Sequence, residues 1–307
     1  MTLRIHDDWS TGTFDRAPIA AATGPFPQRG FLDTWWRHRG GQGRVMLADS
    51  GSALLPLVAF DDRVEFMGEA DLCDYHSPLG GPVDSLLRAL ASRLPDGTKL
   101  TLDSLPTEAA EPIAAGLRTA GVATTVAQHE LAAVLSLPAA TDEWLASLDK
   151  KQRHEVRRKH RRFTAAVGSP RLSRGTAEDL TGFVAMHRNA AGEKGGFMDN
   201  AMERWFAALI NEVGGCIDLL SGDDGVPLAA GIGFEDEGAY YLYNSAYEPA
   251  ASEVSPGVVL LTELVARAIS EGRTVFDFLK GDEPYKYKLG AQPRPLYAVT
   301  ATIGDRL

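Results

Sequence analysis

The 307-residue sequence predicts a mixed α/β (α+β) fold of two successive halves, each with a mainly antiparallel sheet flanked by helices. Short β-like runs broken by Gly and Asp/Ser turn signals recur through the first half. A β-meander followed by a long apolar-faced helix and a further strand dominates the second. Between them, Pro-Ala-Ala-Thr at 138–141 punctuates the chain, so the expected division is 1–140 and 141–307.

Taken in order, VMLAD (45–49), SALLPLVAF (52–60) and RVEFMG (63–68) read as strands, and DSLLRALASRL (84–94) has helical spacing stopped by Pro95-Asp96-Gly97. KLTLDSL (99–105) returns to strand, EAAEPIAAGLRTAG (108–121) to helix, and 131–137 to strand. Thr141 is placed to cap a helix at 142–149, followed by one at 151–166 and the strand RLSR at 171–174. Helices near 176–190 and 198–213 precede the meander of 216–222, 227–236 and 238–247, with Asp-Asp-Gly and Asp-Glu-Gly turns. The helix at 257–272, a strand at 274–279, a polar turn at 280–284 and a last strand at 296–303 complete the reading.

Composition narrows the function classes. No apolar run approaches the ~20 residues that span a bilayer, and the N-terminus lacks the basic-then-apolar order of a secretory signal. The two cysteines, Cys73 and Cys216, are too few and too far apart for a disulfide framework or a four-ligand zinc site. A reduced, cytoplasmic setting without a metal is the expectation. The formal net charge of −10 argues against a general nucleic-acid binder. Yet the 150–162 segment, KKQRHEVRRKHRR, holds eight of the 31 Lys and Arg residues and a single acid, Glu155. Many such runs are only solvated faces, but this surplus has no local acid to offset it. Arg153, Arg157 and Arg161 fall in an i, i+4, i+8 row, and arginine forks grip phosphate or carboxylate bidentately.

Two further constellations stand out. A Tyr-rich strand opens through a loop into Ser255-Pro256-Gly257, where a helix N-terminus would seat a pyrophosphate on its amides and dipole. The run FDFLKGDEPYKYKLG (276–290) sets Asp277 opposite Phe276 and Phe278, then clusters Lys280, Asp282, Glu283, Lys286 and Lys288 with Tyr285 and Tyr287. Lysine beside aromatics can bind phosphate or stabilise an oxyanion, and a carboxylate raised by burial can act as general base. Weaker candidates are Gly68 to His76, and His187-Arg188 with Glu193-Lys194-Gly195. No Ser/His/Asp spacing, His-Glu-x-x-His pair or P-loop supports hydrolase or NTPase chemistry.

These residues carry a family resemblance. The segments LDKKQRHEVRRKHRRF, GVPLAAGIGFEDEGAYYLYNSAYEPAASEVSPGVVLL and EGRTVFDFLKGDEPYKYKLG resemble the GNAT acyltransferases of the CelD-like, cellulose-biosynthesis type, which are similar to the FemAB peptidyltransferases. FMGEADLCDYHSPLGGP resembles the first half of such bacterial proteins. The resemblance implies a tandem GNAT-like fold, with a degenerate N-terminal domain and a C-terminal one carrying donor and catalytic sites. It implies N-acyl transfer to a small-molecule or peptidyl amine from acyl-CoA, acetyl or longer. The alternatives are aminoacyl-tRNA-dependent transfer of the Fem kind, or a non-catalytic binding or scaffold protein that keeps the fold. Lys286-Tyr-Lys-Leu-Gly290 is similar to the Fem-type Lys-x-x-Phe-Gly motif. The GNAT pyrophosphate loop Gln/Arg-x-x-Gly-x-Gly/Ala is absent; Ser255, Pro256 and Gly257 stand in its place.

On this reading Glu283 or Asp282 takes the proton of the attacking amine, while Lys286 and Tyr243 neutralise charge on the intermediate or leaving group. Arg153 and Arg157 hold a phosphate or carboxylate, with Asp74, Tyr75, Asn244 and Asp277 as further substrate contacts.

Overall fold

The computed structural model describes residues 2–10, 12, 14–190 and 193–306. The side chains of Glu193, Lys194 and Arg306 lie outside the described set, and with them the candidate Glu193-Lys194 pair. The chain divides into two units, Met1–Ala132 with Arg294–Leu307 and Ala133–Pro293.

The first unit begins with β1 (Arg4–His6), then α1 (Arg29–Arg39), β2 (Arg44–Asp49), β3 (Ala53–Ala59) and β4 (Arg63–Phe66). There follow β5 (Leu79–Gly80), α2 (Asp84–Ala91), β6 (Lys99–Pro106), α3 (Thr107–Thr119) and β7 (Val122–Ser136), which runs past the unit boundary. β1, β2, β3 and β4 pair antiparallel in sequence, and β4 meets β6 in parallel. α2 and α3 bring Leu86, Leu87, Leu90, Ile113 and Leu117 into a core with Leu55, Leu57, Leu100 and Leu102. Buried apolar side chains at helical spacing drive this packing.

The sequence signals above do not include α1; its Phe31, Leu32 and Trp35 are buried, but Arg29, Arg37, His38 and Arg39 make both of its ends polar and cationic. β7 starts at Val122 rather than near 131, and residues 125–129 are exposed. A strand wet on both faces carries no apolar alternation to read.

The second unit holds α4 (Thr141–Ser147), α5 (Lys150–Val167), β8 (Arg171–Arg174), α6 (Leu180–Arg188), α7 (Glu193–Phe197) and α8 (Asn200–Ala208). Then come β9 (Cys216–Ser221), β10 (Pro227–Glu235), β11 (Ala239–Tyr247), α9 (Pro256–Ser270), β12 (Val275–Lys280) and α10 (Pro284–Lys288). Its strands are ordered β12-β11-β10-β9-β8, antiparallel except for the β11–β12 pair. Asp149 caps α5, its carboxylate accepting from the Gln152 N–H at 2.8 Å, and Gly168 ends the helix at φ 89°. Thr141 is the first residue of α4 and Ala140 its cap, so the expected Thr141 cap is not formed. Residues 281–283 form the polar connection expected after β12, and α10, which the sequence signals do not include, follows it, because Pro284 presets the first helical φ and Lys286 turns inward. α9 buries Val259, Leu260, Leu264 and Val265 against Leu220, Ala229, Tyr240, Leu242 and Phe276.

The last strand, β13 (Gln292–Arg306), returns to the first unit, where Leu296 to Thr302 pair antiparallel with Pro106 to Lys99 of β6. This pairing places residues 294–307 with the first unit rather than with 141–293.

A buried ionic network joins the strands of the second unit to α9. Asp218 on β9 is fully buried and accepts from the Tyr240 hydroxyl at 2.7 Å and Arg267 Nη1 at 2.7 Å. Arg174 Nε lies 3.4 Å from the same carboxylate, and Arg174 and Arg273 also pair with Glu235 at 2.5 Å and 3.2 Å. Burial, then the charge of Asp218, pushes the Tyr240 phenol well above its ordinary range. Removing one partner strands the others in low dielectric. Asp218→Ala is expected to cost about 3–5 kcal/mol of stability, read from urea unfolding midpoints; an unchanged midpoint would mean the network carries no net stability.

Candidate active site

The antiparallel ladder between β10 and β11 runs from Ala229–Tyr247 to Glu235–Tyr240, with a bulge at Ile232/Gly233. The parallel ladder between β11 and β12 is far shorter, covering only Ala239–Val275, Tyr240–Phe276 and Tyr241–Asp277. β11 continues to Tyr247 and β12 to Lys280. Beyond the third rung the two strands therefore part, and a gap opens at their C-terminal ends, where open α/β sheets bind ligands. α9 connects these strands, so its N-terminus lies at the same end of the sheet.

Two buried charged side chains shape the end of β12. Leu279 sits at φ 59°, a conformation that branched and bulky residues seldom adopt. Asp277, fully buried, accepts the Leu279 N–H at 2.7 Å. Lys286, also buried, donates from Nζ to the carbonyls of Leu279 (3.2 Å), Lys280 (2.5 Å) and Gly281 (3.2 Å), and pairs with Glu283 at 3.0 Å. Its ammonium is thus spent on the turn. It holds β12 bent rather than facing an open cleft, which removes the direct oxyanion contact expected of it. The burial invoked for a general base at Asp282 or Glu283 is absent too, since both side chains are exposed.

At α9 the amide seat is narrower than expected. Ser255 is the cap residue at φ 56° but makes no side-chain cap, and Pro256 brings no N–H. The Ser255 carbonyl takes the N–H groups of Val258 and Val259 at 3.1 Å and 3.2 Å. Among the described residues this leaves the Gly257 N–H, with the helix dipole behind it, as the first-turn donor without a partner. A Cβ at Gly257 would stand 3.2 Å from the Tyr247 ring, so glycine keeps the approach open.

On the parting half of β11, the Tyr243 hydroxyl accepts from Trp205 Nε1 at 3.1 Å, and its ring contacts Phe206 and Phe234. Asn244 Oδ1 lies 3.2 Å from His187 Nε2. Trp205 and Phe206 lie on the helix expected near 198–213 but not among its candidate site residues, since an aromatic pair on an amphipathic helix looks like core.

The arginine row of α5 does not act as one unit. Arg153 Nη1 donates to the carbonyls of Ala146 (2.9 Å), Leu148 (3.2 Å) and Leu145 (3.4 Å), closing the C-terminus of α4. Arg158 and Lys159 pair with Glu155, whose carboxyl Arg158 holds down at about 2. Arg157 instead lines a cavity whose walls include neither Arg153 nor Lys286. Arg153, Arg157 and Lys286, each expected to meet donor or acceptor, thus do not share one pocket, because Arg153 and Lys286 satisfy backbone carbonyls.

In the first unit Tyr75 is buried against Phe26, with Arg294 5.0 Å from its ring centre, and Asp74 is half-buried nearby in sequence. His76 is buried with Nδ1 3.1 Å from Asp103 Oδ1; against the downward pull of burial, Cys73 and Asp103 push its imidazole up to about 10.

The sequence of residues 150–287 matches the family described as acetyltransferase (GNAT) domain. No curated protein sequence matches the chain. Among solved structures, FemX is similar with TM-score 0.60 at 11% identity, over 88% of this chain and 90% of that one. L-PGS from Bacillus licheniformis gives 0.58 at 14%, over 92% and 95%. A conserved protein of unknown function from Bacteroides thetaiotaomicron VPI-5482 gives 0.62 at 12%, over 92% and 95%.

Lys286→Met should lower stability by about 2–4 kcal/mol by orphaning three carbonyls, whereas exposed Glu283→Gln should change it by about 1 kcal/mol or less. Thermal unfolding of both variants checks this, and equal midpoints would show that the lysine does not hold the turn. The second unit thus carries the segment that matches the GNAT acetyltransferase domain, and the chain as a whole shares its mixed α/β fold with FemX and L-PGS.

Proposed function

We propose that the protein is an N-acyltransferase that moves an acyl group from acyl-CoA to an amine. The observation that supports this most is the parting of β11 and β12 beside the N-terminus of α9. An extended, amide-bearing donor arm suits the strand edge that the gap leaves, in the manner of an added strand. Its pyrophosphate suits the Gly257 amide and the helix dipole.

The donor thioester is already activated, so positioning does most of the work. The acceptor amine attacks the carbonyl carbon, the C–S bond breaks, and the amine's proton passes to water, with the exposed carboxylates of Asp282 and Glu283 as its further acceptors. Tyr243, oriented by Trp205, gives its proton to the leaving thiolate. Asp277 and Lys286 act as positioning residues that keep β12 bent. Arg153 and Arg157 fall outside this reading.

Thermal shift with acetyl-CoA and longer acyl-CoAs tests the donor, since a ligand of the folded state raises the midpoint by mass action. Tyr243→Phe should lower kcat by about 10²-fold or more with little change in donor affinity; unchanged turnover would remove the tyrosine from the mechanism. A second reading, transfer from aminoacyl-tRNA, draws on the likeness to FemX and on exposed Arg157, Arg158, Arg161 and Arg162. It predicts a shift with aminoacyl-tRNA alone and affinity that falls steeply with salt. A midpoint that moves with neither donor would leave a non-catalytic binding protein and sink both.

A further inference from the structure

The cavity that holds Arg157 has a volume of about 330 Å³ and lies among α4, α5 and α9. Its α9 residues, Thr262, Glu263 and Ala266, begin six residues past Pro256, roughly 9 Å along the axis at 1.5 Å per residue. It is thus separate from the helix N-terminus that the proposed donor would occupy.

The apolar part of the lining is made by Trp144, Leu145, Val156 and Ala266. Trp144 is nearly fully buried and fixed by a 3.0 Å hydrogen bond from Nε1 to the Leu289 carbonyl, so this wall is preformed. Polar groups lie together in the lining. His160 Nε2 is 2.6 Å from Thr262 Oγ1, and its Nδ1 is 3.5 Å from Glu263 Oε1. Burial pushes the Glu263 carboxyl up and the His160 imidazole down. Arg157 and Arg161 are exposed, stand one turn apart on the same face of α5, and have no ion-pair partner among the described residues. Two guanidiniums and one partly buried carboxyl therefore border the same cavity. A preformed apolar hollow with a few convergent polar groups is the usual form of a small-ligand site.

We propose that this cavity binds a free anionic amphiphile, a carboxylate carried on an apolar chain or ring, with the tail between Trp144 and Ala266 and the head between Arg157 and Arg161. Neither the cavity nor the arginine pair takes part in the acyl-CoA reading above, and binding needs no acyl donor.

The test is calorimetric titration of the full chain, without CoA, using dispersed decanoate and, as a charge control, decylamine. Decanoate should bind and decylamine should bind at least about tenfold more weakly, since charge-assisted pairing to arginine is lost. Arg157→Gln with Arg161→Gln should weaken decanoate by about tenfold or more. Ala266→Trp should abolish binding by filling the hollow. Ala266→Leu serves as a milder filling should the tryptophan variant unfold, as judged by its thermal midpoint. Equal affinity for decanoate and decylamine, or full affinity in the double arginine variant, would overturn the proposal. So would failure to bind decanoate combined with sedimentation on phosphatidylglycerol vesicles, which would assign the arginines to a lipid surface. Failure here would leave the acyl-CoA shifts untouched, so the two readings fall separately.

Discussion

The three-rung parallel contact between β11 and β12 is the constraint on which the rest of the second unit depends. A longer ladder would close the sheet and leave no edge for a ligand, and a shorter one would fail to hold the crossover helix in place. The length is set by local chemistry at Leu279. Its left-handed backbone cannot continue a strand, and the opposed charges of Asp277 and Lys286 take up the N–H and C=O that the strand would otherwise have paired. Buried charge stabilises a bend here because each group finds backbone partners in place of water.

At the opposite ends of the same elements, the Asp218 network performs the complementary task. It ties the start of β11, through Tyr240, and the last turns of α9, through Arg267, to β8, β9 and β10. The sheet is thus clamped by ion pairs where the strands run together and released where they separate. Apolar packing of α9 along its length couples the two ends, since Leu260 and Leu264 contact the strand layer between them.

Much of this order was legible in the sequence because the signals were periodic. The meander, α9 and β12 announce themselves through alternation and helical spacing, and the GNAT-type match falls on those segments. Two kinds of feature were hidden. Segments without a buried face, such as residues 125–129 of β7, present no pattern to find. Charged residues were visible, but their occupations were not: Arg153 and Lys286 read as ligand-binding cations, whereas each serves backbone carbonyls brought close only by folding. Side-chain type marks what a residue can bind, while the competition between backbone and ligand is settled in three dimensions. The Thr262-Glu263 pair inside the apolar run GVVLLTELVARAIS was the available sign of the α5–α9 cavity.

The return of β13 to β6 has a bearing on biosynthesis. Residues 133–293 are threaded into the primary structure of the first unit as an insertion. A nascent chain emerging from the ribosome has the whole second unit available before the seven residues 296–302 arrive to give β6 its second neighbour. The edge of β6 must stay unsealed through that interval, so the order of translation exposes the first-made sheet longest.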